Sequence, residues 1–193
     1  MPGPTLILSS SSPRRRDILT SMGLEFTVRR VDVDEQPAPN EAASDMVLRL
    51  AVAKATALPA AGNEIVIGAD TAVVLDAAIF GKPEDEADAL RMLAALSGQA
   101  HKVMTGVAVA TAAAVETALA VTDVRFREID PDEARRYWHS GEPRGKAGAY
   151  AIQGRGAVFV EAIMGSYTGV VGLPAFETAR LLRRAGLDTL PAQ

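Results

Sequence analysis

The 193-residue sequence contains no cysteine, and that absence removes several kinds of chemistry at once. Without thiols there is no disulfide, no thiolate nucleophile and no cysteine-ligated zinc. Histidine is scarce as well, since His101 and His139 are the only two and lie far apart in the chain. A histidine-based metal site is therefore not expected, and each histidine is interpreted as an ordinary surface or strand residue.

Long apolar runs and excess positive charge are also missing. No stretch reaches the roughly 18 apolar residues of a membrane span, and the first residues lack the charged-then-apolar order of a signal peptide. We therefore expect a cytoplasmic protein that has no contact with membranes. The formal net charge of −4 argues against charge-driven binding to nucleic acid polymers. Hydrophobic residues make up 48% of the chain, which is enough for the core of one domain over residues 1–193.

What the chain does have, near its start, is a cluster of arginines in an unusual place. Residues 6–8 predict a short strand, and Ser12 with Pro13 predicts the N-cap and first position of a helix. Residues 14–16 are all arginine and would occupy the first turn, where the helix dipole favours acids. Free N–H groups, serine hydroxyls and guanidinium groups there would suit a phosphate-rich ligand. The alternative is a solvated basic turn.

An acid interrupts the most apolar segment. Residues 64–75 read EIVIGADTAVVL and predict a central strand, yet Asp70 stands in its middle. A buried carboxylate is costly unless it is paired or near water, so Asp70 indicates a functional site. The alternative is an acid at a strand end or bulge, with Gly68 marking the bend.

The remaining segments predict helices, a hairpin and a glycine-rich region. Asn40 or Ser44 could cap a helix that runs to about residue 58, and residues 79–83 predict a turn that presents Lys82. Helices are also expected near residues 87–97, 131–140 and 174–185, and a hairpin over residues 101–126. Residues 141–172 are rich in glycine and predict short strands between close backbone approaches.

The charged residues favour metal-assisted phosphoanhydride chemistry. Cationic side chains and serine hydroxyls can bind phosphate oxygens, and carboxylates can hold Mg²⁺ or Mn²⁺ and deprotonate a water. The candidates are Ser10, Ser12, Arg14, Arg15, Lys54, Lys82, Lys146, Glu35 and Asp70. A P-loop and a dinucleotide fingerprint are both missing, because residues 141–146 and 154–156 only approach those spacings.

Several long motifs, in order, resemble the Maf family of nucleoside triphosphate pyrophosphatases. They are SSSSPRRRDIL (9–19), DVDE (32–35), RLAVAKA (49–55), GADTAVVLD (68–76), GKP (81–83), MLAALSGQAHKVMTGV (92–107) and GKAGAYAIQGRGAVFVEAIMGSYTGVVGLP (145–174). The resemblance implies an α/β fold: an extended mixed β-sheet flanked by helices, with two lobes around a cleft, related to inosine triphosphatase. It also implies a homodimer and a divalent metal, Mg²⁺ or Mn²⁺.

Matched position by position, the resemblance assigns roles to individual residues. Asp70 would be the proton acceptor, and Glu35 with Asp70 would bind the metal. The triphosphate would be held by Ser10, Ser12, Arg14, Arg15, Lys54, Lys82 and Lys146. The products would be the nucleoside monophosphate and pyrophosphate.

The form KAGAYAIQG, with a later GSY, is similar to the branch of the family that acts on dTTP and UTP. By this matching Arg15, Thr71 and Gln153 fall at the specificity positions, and Gln153 carries both a donor and an acceptor for the edge of uracil or thymine. Such an enzyme would remove these or modified pyrimidine nucleotides from the pool. The alternatives are a pyrophosphatase for another base, such as 7-methyl-GTP, and a nucleotide-binding regulator of cell division.

Overall fold

Seven strands form one sheet among residues 3–190, which are the residues that the computed structural model describes. The strands are β1 (Thr5–Leu8), β2 (Thr27–Val28), β3 (Glu64–Leu75), β4 (Ala78–Phe80), β5 (Ala100–Ala110), β6 (Val115–Phe126) and β7 (Val160–Met164). Their order is β2-β1-β3-β5-β6-β7, and β4 pairs with β3 outside this row. Because β1 runs parallel to β2 and β3 while β7 runs antiparallel to β6, the sheet is mixed.

Helices flank this sheet, as the predicted mixed α/β fold requires. They are α1 (Pro13–Ser21), α2 (Ala43–Thr56), α3 (Glu86–Leu96), α4 (Pro131–His139), α5 (Tyr167–Val171) and α6 (Ala175–Arg184), with short 3-10 helices at Ala147–Ala149 and Arg155–Phe159. Over residues 3–190, none of the helices has the length and apolar character needed to cross a membrane. The prediction of a mixed sheet with flanking helices is confirmed.

Three local predictions were wrong. The N-cap of α2 is Ala42, whereas Asn40 lies before it in a left-handed conformation with φ of 56° and Ser44 lies within the helix. The first residues of the predicted turn at 79–83 belong instead to strand β4, which pairs antiparallel with the end of β3. Asp76, between the two strands, has a left-handed backbone conformation. The glycine-rich region contains only one strand, β7, and its remaining ordered turns are the two 3-10 helices and α5.

The chain divides into two compact units. The first contains residues up to Asp70, residues 105–120 and residues from Gly172 onwards. The second contains residues 71–104 and 121–171. That residues 1–193 act as a single domain stays a prediction.

The first unit is built around the close approach of α2 to β3 and β5. At Gly68 of β3, a Cβ atom would lie 2.5 Å from the amide nitrogen of Ala55 and closer still to the carbonyl oxygen of Ala51. At Gly106 of β5, a Cβ would meet the backbone of Val47 in the same way. Any side chain at Gly68 would push α2 off the strand. The two glycines therefore fix the height of α2 over the sheet.

The second unit contains a cluster of buried aromatic rings around His101. The His101 ring meets Phe126 and Tyr150 edge-on, with ring centroids 4.8 Å and 5.5 Å away, and its Nε2 lies 2.9 Å from the Tyr150 hydroxyl oxygen. Within residues 3–190 its buried Nδ1 has no hydrogen-bond partner. Burial lowers the pKa of His101 from 6.5 to about 4. The imidazole is therefore neutral in the folded protein at neutral pH.

We expect His101 to make the protein less stable as the pH falls from 6.5 towards 4. In that interval the unfolded chain protonates this imidazole and the folded protein does not, so unfolding takes up a proton. The contribution of His101 to the free energy of unfolding is fully present above pH 6.5. It decreases by about 3 kcal/mol between pH 6.5 and pH 4, at 1.36 kcal/mol per pKa unit. The free energy of unfolding of the wild type and of His101→Gln can be measured by urea unfolding across this pH range. Between pH 6.5 and pH 4, the decrease should be about 3 kcal/mol smaller in the variant than in the wild type.

The exposed His139 offers the matched control, because His139→Gln removes an imidazole from the surface. Parallel stability curves for the wild type and His101→Gln would place the acid sensitivity elsewhere in the molecule.

Candidate functional site

Lys54 joins two of the predicted carboxylates in the first unit. Its Nζ lies 2.6 Å from Oδ1 of Asp70 and 2.6 Å from Oε1 of Glu35. The Lys54 side chain is 8% exposed and that of Asp70 is 13% exposed, whereas Glu35 reaches further into solvent at 43%. Charges removed from water this far must be paired. Asp70 thus lies inside β3 as a paired acid, and the alternative of a strand end is excluded.

The backbone around Lys54 holds its ammonium in place. Lys54 belongs to the last turn of α2, whose carbonyl there accepts a 2.6 Å hydrogen bond from the buried Ser9 hydroxyl at the end of β1. At Gly68, two residues before Asp70, the backbone of β3 packs directly against the backbone of α2 at Ala51 and Ala55. The position of the ion pair is therefore set by packing between α2, β1 and β3, since each partner lies on a separate element.

Arg15, in the first turn of α1, is held by hydrogen bonds to two other residues of the unit. Its Nε donates to the carbonyl oxygen of Gly172 at 2.8 Å, and its Nη1 donates to the Ser10 hydroxyl at 3.2 Å. Burial lowers the pKa of Arg15, the charges of Asp70 and Glu35 act in the opposite direction, and the charge of Arg14 lowers it further. Arg15 is half-buried and lies in the electrostatic field of both carboxylates.

Ser12 occupies the N-cap of α1 by its backbone, as predicted, but its hydroxyl does not bond the N–H groups of the first turn. Its own backbone N–H donates to the Ser10 hydroxyl at 3.2 Å. The first turn also has no acidic residue. A helix start with arginines, serines and no side-chain cap suits an anion, because the dipole and the N–H groups favour negative charge there.

The candidates divide between the two units. Ser10, Ser12, Arg14, Arg15, Glu35, Lys54 and Asp70 lie in the first unit, where the contacts above bring them together. Thr71, Lys82, Lys146 and Gln153 lie in the second.

In the second unit, one backbone hydrogen bond joins the segment that contains Lys82 to the segment that contains Lys146. The amide of Gly148 donates to the carbonyl oxygen of Gly81 at 3.1 Å, so the segment before Lys82 lies beside the segment after Lys146. Lys82 is exposed, and the half-buried Lys146 donates to the carbonyl oxygen of Arg144 at 3.3 Å. Gln153 is exposed in a turn before the 3-10 helix at Arg155–Phe159.

The sequence interpretation missed a polar cluster that surrounds this turn. The Tyr137 side chain is buried, and its hydroxyl donates to Glu142 Oε1 at 2.7 Å. The same carboxylate accepts hydrogen bonds from the backbone amides of Arg155 and Gly156. The only sequence signal was an acid directly after a helix end, where the dipole disfavours negative charge.

Two carboxylates of the first unit are suited to hold a cation. Over residues 3–190, no three histidine, aspartate or glutamate side chains are grouped so as to form a metal site by themselves. Asp70 and Glu35 both reach the same ammonium group, so they are close enough to share one cation. Mg²⁺ is usually held by one or two carboxylates, with waters and substrate phosphates completing its shell. This donor pair fits such a metal.

Comparison with known proteins gives consistent matches. A family model described as "Maf-like protein" matches residues 5–185. Curated relatives named dTTP/UTP pyrophosphatase include those of Hahella chejuensis (48% identical, covering 94% of this chain and 92% of the relative), Anaeromyxobacter dehalogenans strain 2CP-C (52%, 95% and 95%) and Methylococcus capsulatus (50%, 95% and 92%). Among solved structures, the Staphylococcus aureus Ham1 protein matches with a TM-score of 0.46 and 16% identity, over 79% of this chain and 77% of that chain.

Proposed function

Because the chain belongs to the family of Maf-like proteins, we propose that it hydrolyses dTTP and UTP to the nucleoside monophosphate and pyrophosphate. The observation that carries the proposal is the arrangement in the first unit, where the Asp70 carboxylate is paired with Lys54 within the field of Arg15. That arrangement supports the proposal, because the acid proposed as the proton acceptor lies near cations that are proposed to bind phosphate. Modified pyrimidine nucleotides are further candidate substrates.

Asp70 takes the proton from the attacking water. The water oxygen forms a bond to the α-phosphorus, the bond from that phosphorus to the bridging oxygen breaks, and pyrophosphate leaves. Lys54 orients the acid, because its ammonium holds Oδ1 at 2.6 Å and leaves the carboxylate little freedom to rotate. A carboxylate has a second oxygen, so Asp70 can keep this ion pair and accept a proton.

The first turn of α1 binds the phosphate groups. Arg14 and Arg15 neutralise phosphate oxygens, and the hydroxyls of Ser10 and Ser12 donate to them. The Arg15 guanidinium is held in place by the carbonyl of Gly172 and the hydroxyl of Ser10. A preorganised cation needs little reorganisation as charge develops on the leaving pyrophosphate. Lys82 and Lys146 are proposed to add positive charge for the same ligand.

A divalent metal, Mg²⁺ or Mn²⁺, is proposed to bind at Asp70 and Glu35. When bound, it would neutralise phosphate charge and lower the pKa of a coordinated water. Glu35 is the more exposed of the two carboxylates, at 43% against 13%, so it is the one that can turn towards an arriving cation.

The base is proposed to be selected by Arg15, Thr71 and Gln153. Gln153 carries the argument, because an amide offers a donor and an acceptor together, as the O4 and N3–H edge of uracil or thymine requires. A site that uses such paired hydrogen bonds rejects bases that leave them unmade. The cytoplasmic location, which the composition favours, and the homodimer, which the family resemblance implies, stay predictions.

A panel of nucleoside triphosphates tests the proposal. The protein, with Mg²⁺ or Mn²⁺, is incubated with dTTP, UTP, CTP, ATP, GTP and 7-methyl-GTP in water enriched in heavy oxygen, and products are identified by phosphorus NMR. We expect pyrophosphate and a labelled monophosphate, with dTTP and UTP preferred by at least about tenfold, roughly 1.4 kcal/mol of discrimination. Nucleoside diphosphate and orthophosphate as products, or label in the pyrophosphate, would contradict attack at the α-phosphorus.

Two other results of the panel would overturn the substrate assignment. Preference for 7-methyl-GTP would show that the site selects another base. Tight binding of dTTP or UTP with no turnover of any nucleotide would indicate a regulator that binds nucleotides without cleaving them.

A further inference from the structure

We propose that Glu142 and Tyr137 are positioning residues that hold the Gln153 turn in its base-selecting conformation. This inference rests on the proposed function, in which Gln153 reads the base. Neither side chain belongs to the set of phosphate-binding or proton-transfer residues. Their role is to fix the backbone on both sides of Gln153.

Hydrogen bonds from these two residues enclose the turn. On its N-terminal side, the amide of Ala151 donates to the Tyr137 hydroxyl oxygen at 3.1 Å. On its C-terminal side, the amides of Arg155 and Gly156 donate to Oε2 and Oε1 of Glu142 at 2.9 Å and 3.0 Å. The Tyr137 hydroxyl in turn donates to Glu142 Oε1 at 2.7 Å, which closes the ring. Gln153 stands between the two anchored sides and its side chain is exposed.

The glycines on either side of Arg155 are needed for this arrangement. A Cβ at Gly154 would collide with the carboxylate of Glu142, and a Cβ at Gly156 would lie 2.6 Å from the Tyr137 hydroxyl oxygen. The backbone after Gln153 therefore approaches these polar groups as closely as only glycine permits.

The negative charge of Glu142 is stabilised by hydrogen bonds from the turn and from Tyr137, and not by the helix that precedes it. Glu142 follows the C-terminal end of α4, where the helix dipole disfavours an acid. Burial raises the pKa of Glu142, but the hydrogen bonds from Gly156, Arg155 and Tyr137 outweigh it, and the pKa lies below its usual value. Hydrogen bonds to a charged acceptor are stronger than neutral ones, so Glu142 is a strong anchor for the turn.

The test compares base selectivity in Glu142→Gln and Tyr137→Phe with that of the wild type. Each variant loses a hydrogen bond to the turn, so the ratio of kcat/KM for UTP to that for GTP should fall by about tenfold. The loss should appear in KM for UTP, while kcat changes by less than about threefold, because Asp70 and Lys54 are untouched. Glu142→Asp, which keeps the charge, should recover part of the selectivity.

Asp130→Ala is the matched control, because it removes the N-cap at the opposite end of α4. Asp130 Oδ1 accepts hydrogen bonds from the amides of Asp132 and Glu133 at the helix start. The control should lower thermal stability and leave the UTP to GTP ratio unchanged. An equal change of selectivity in Asp130→Ala would mean that Glu142 acts through general stability, and the proposal would be wrong. Tyr137→Phe keeps the test decisive if Glu142→Gln does not fold.

A double-mutant cycle with Gln153→Ala separates this proposal from the proposed function. If Glu142 acts through Gln153, Glu142→Gln should have no further effect on selectivity once Gln153 is alanine. A full additional effect in that background would overturn the positioning role. If Gln153→Ala itself leaves the ranking of bases unchanged, the role of Gln153 is wrong, and the positioning proposal fails with it.

Discussion

Replacing Asp70 by asparagine should lower kcat/KM for dTTP and UTP by about 10²–10⁴-fold, the usual contribution of a general base. Asparagine has the same shape and can still accept a hydrogen bond from Lys54, but its amide does not accept a proton from water. The loss should appear in kcat, because the groups proposed to bind phosphate are unchanged. Initial rates of pyrophosphate release, measured over a range of nucleotide and Mg²⁺ concentrations, give both constants.

Asp76→Asn is the matched control for this substitution. Asp76 lies just beyond the end of the same strand, is exposed, and has a φ of 53°, a conformation that asparagine tolerates well. Its activity should stay within about twofold of the wild type, as for most surface substitutions. Should Asp70→Asn retain a large part of the wild-type rate, another group takes the proton, and the paired carboxylates serve only in binding.

The sequence was sufficient to find Asp70 but not to explain how it is tolerated. The apolar run predicted β3 with the bounds that the structure has, and the acid within it stood out against that pattern. Its partner Lys54 lies on a separate helix, and the contact depends on how closely α2 packs at Gly68. Periodicity places a lysine on a helix and does not say which strand that helix meets. The pairing is a property of tertiary packing.

The same limit applies to the acids of residues 32–35. The sequence pattern does not show which of the three acids in these four residues would bind a metal, and only the family resemblance indicates Glu35. In the structure Glu35 reaches Lys54, whereas Asp34 accepts a hydrogen bond from the backbone amide of Gln36. The choice between them depends on the conformation of a loop without regular secondary structure. Local sequence preferences do not determine such a conformation.

The role of Glu142 is the part of the candidate site that was hardest to foresee. The sequence of residues 141–172 predicts short strands between close backbone approaches and gives no role to Glu142. The glycines are explained by what they approach, namely a carboxylate and a hydroxyl from a segment before them in the chain. Glycine density signals a close approach without naming its partner. The partner becomes identifiable only when the fold brings α4 beside the 3-10 helix at Arg155–Phe159.

Arg15→Met should lower kcat/KM for dTTP and UTP by about 10²–10³-fold, the effect of removing one preorganised donor from developing negative charge. The three arginines of the first turn differ in their surroundings, although the sequence presents them as equals. Arg15 is fixed by the carbonyl of Gly172 and the hydroxyl of Ser10, whereas Arg16 is exposed. Rates of pyrophosphate release for the two methionine variants, measured at the same ionic strength, compare a held guanidinium with a solvated one.

Arg16→Met removes the same charge from the same turn, so it is the matched control, and its activity should stay within about twofold of the wild type. Arg15→Lys should recover little, because a lysine ammonium cannot reproduce the fork that donates to Gly172 and Ser10 together. Thermal unfolding separates lost binding from lost structure, since Arg15→Met also removes the hydrogen bonds to the Gly172 carbonyl and the Ser10 hydroxyl. Equal losses in Arg15→Met and Arg16→Met would mean that the turn attracts the triphosphate through its total charge and not through one positioned guanidinium.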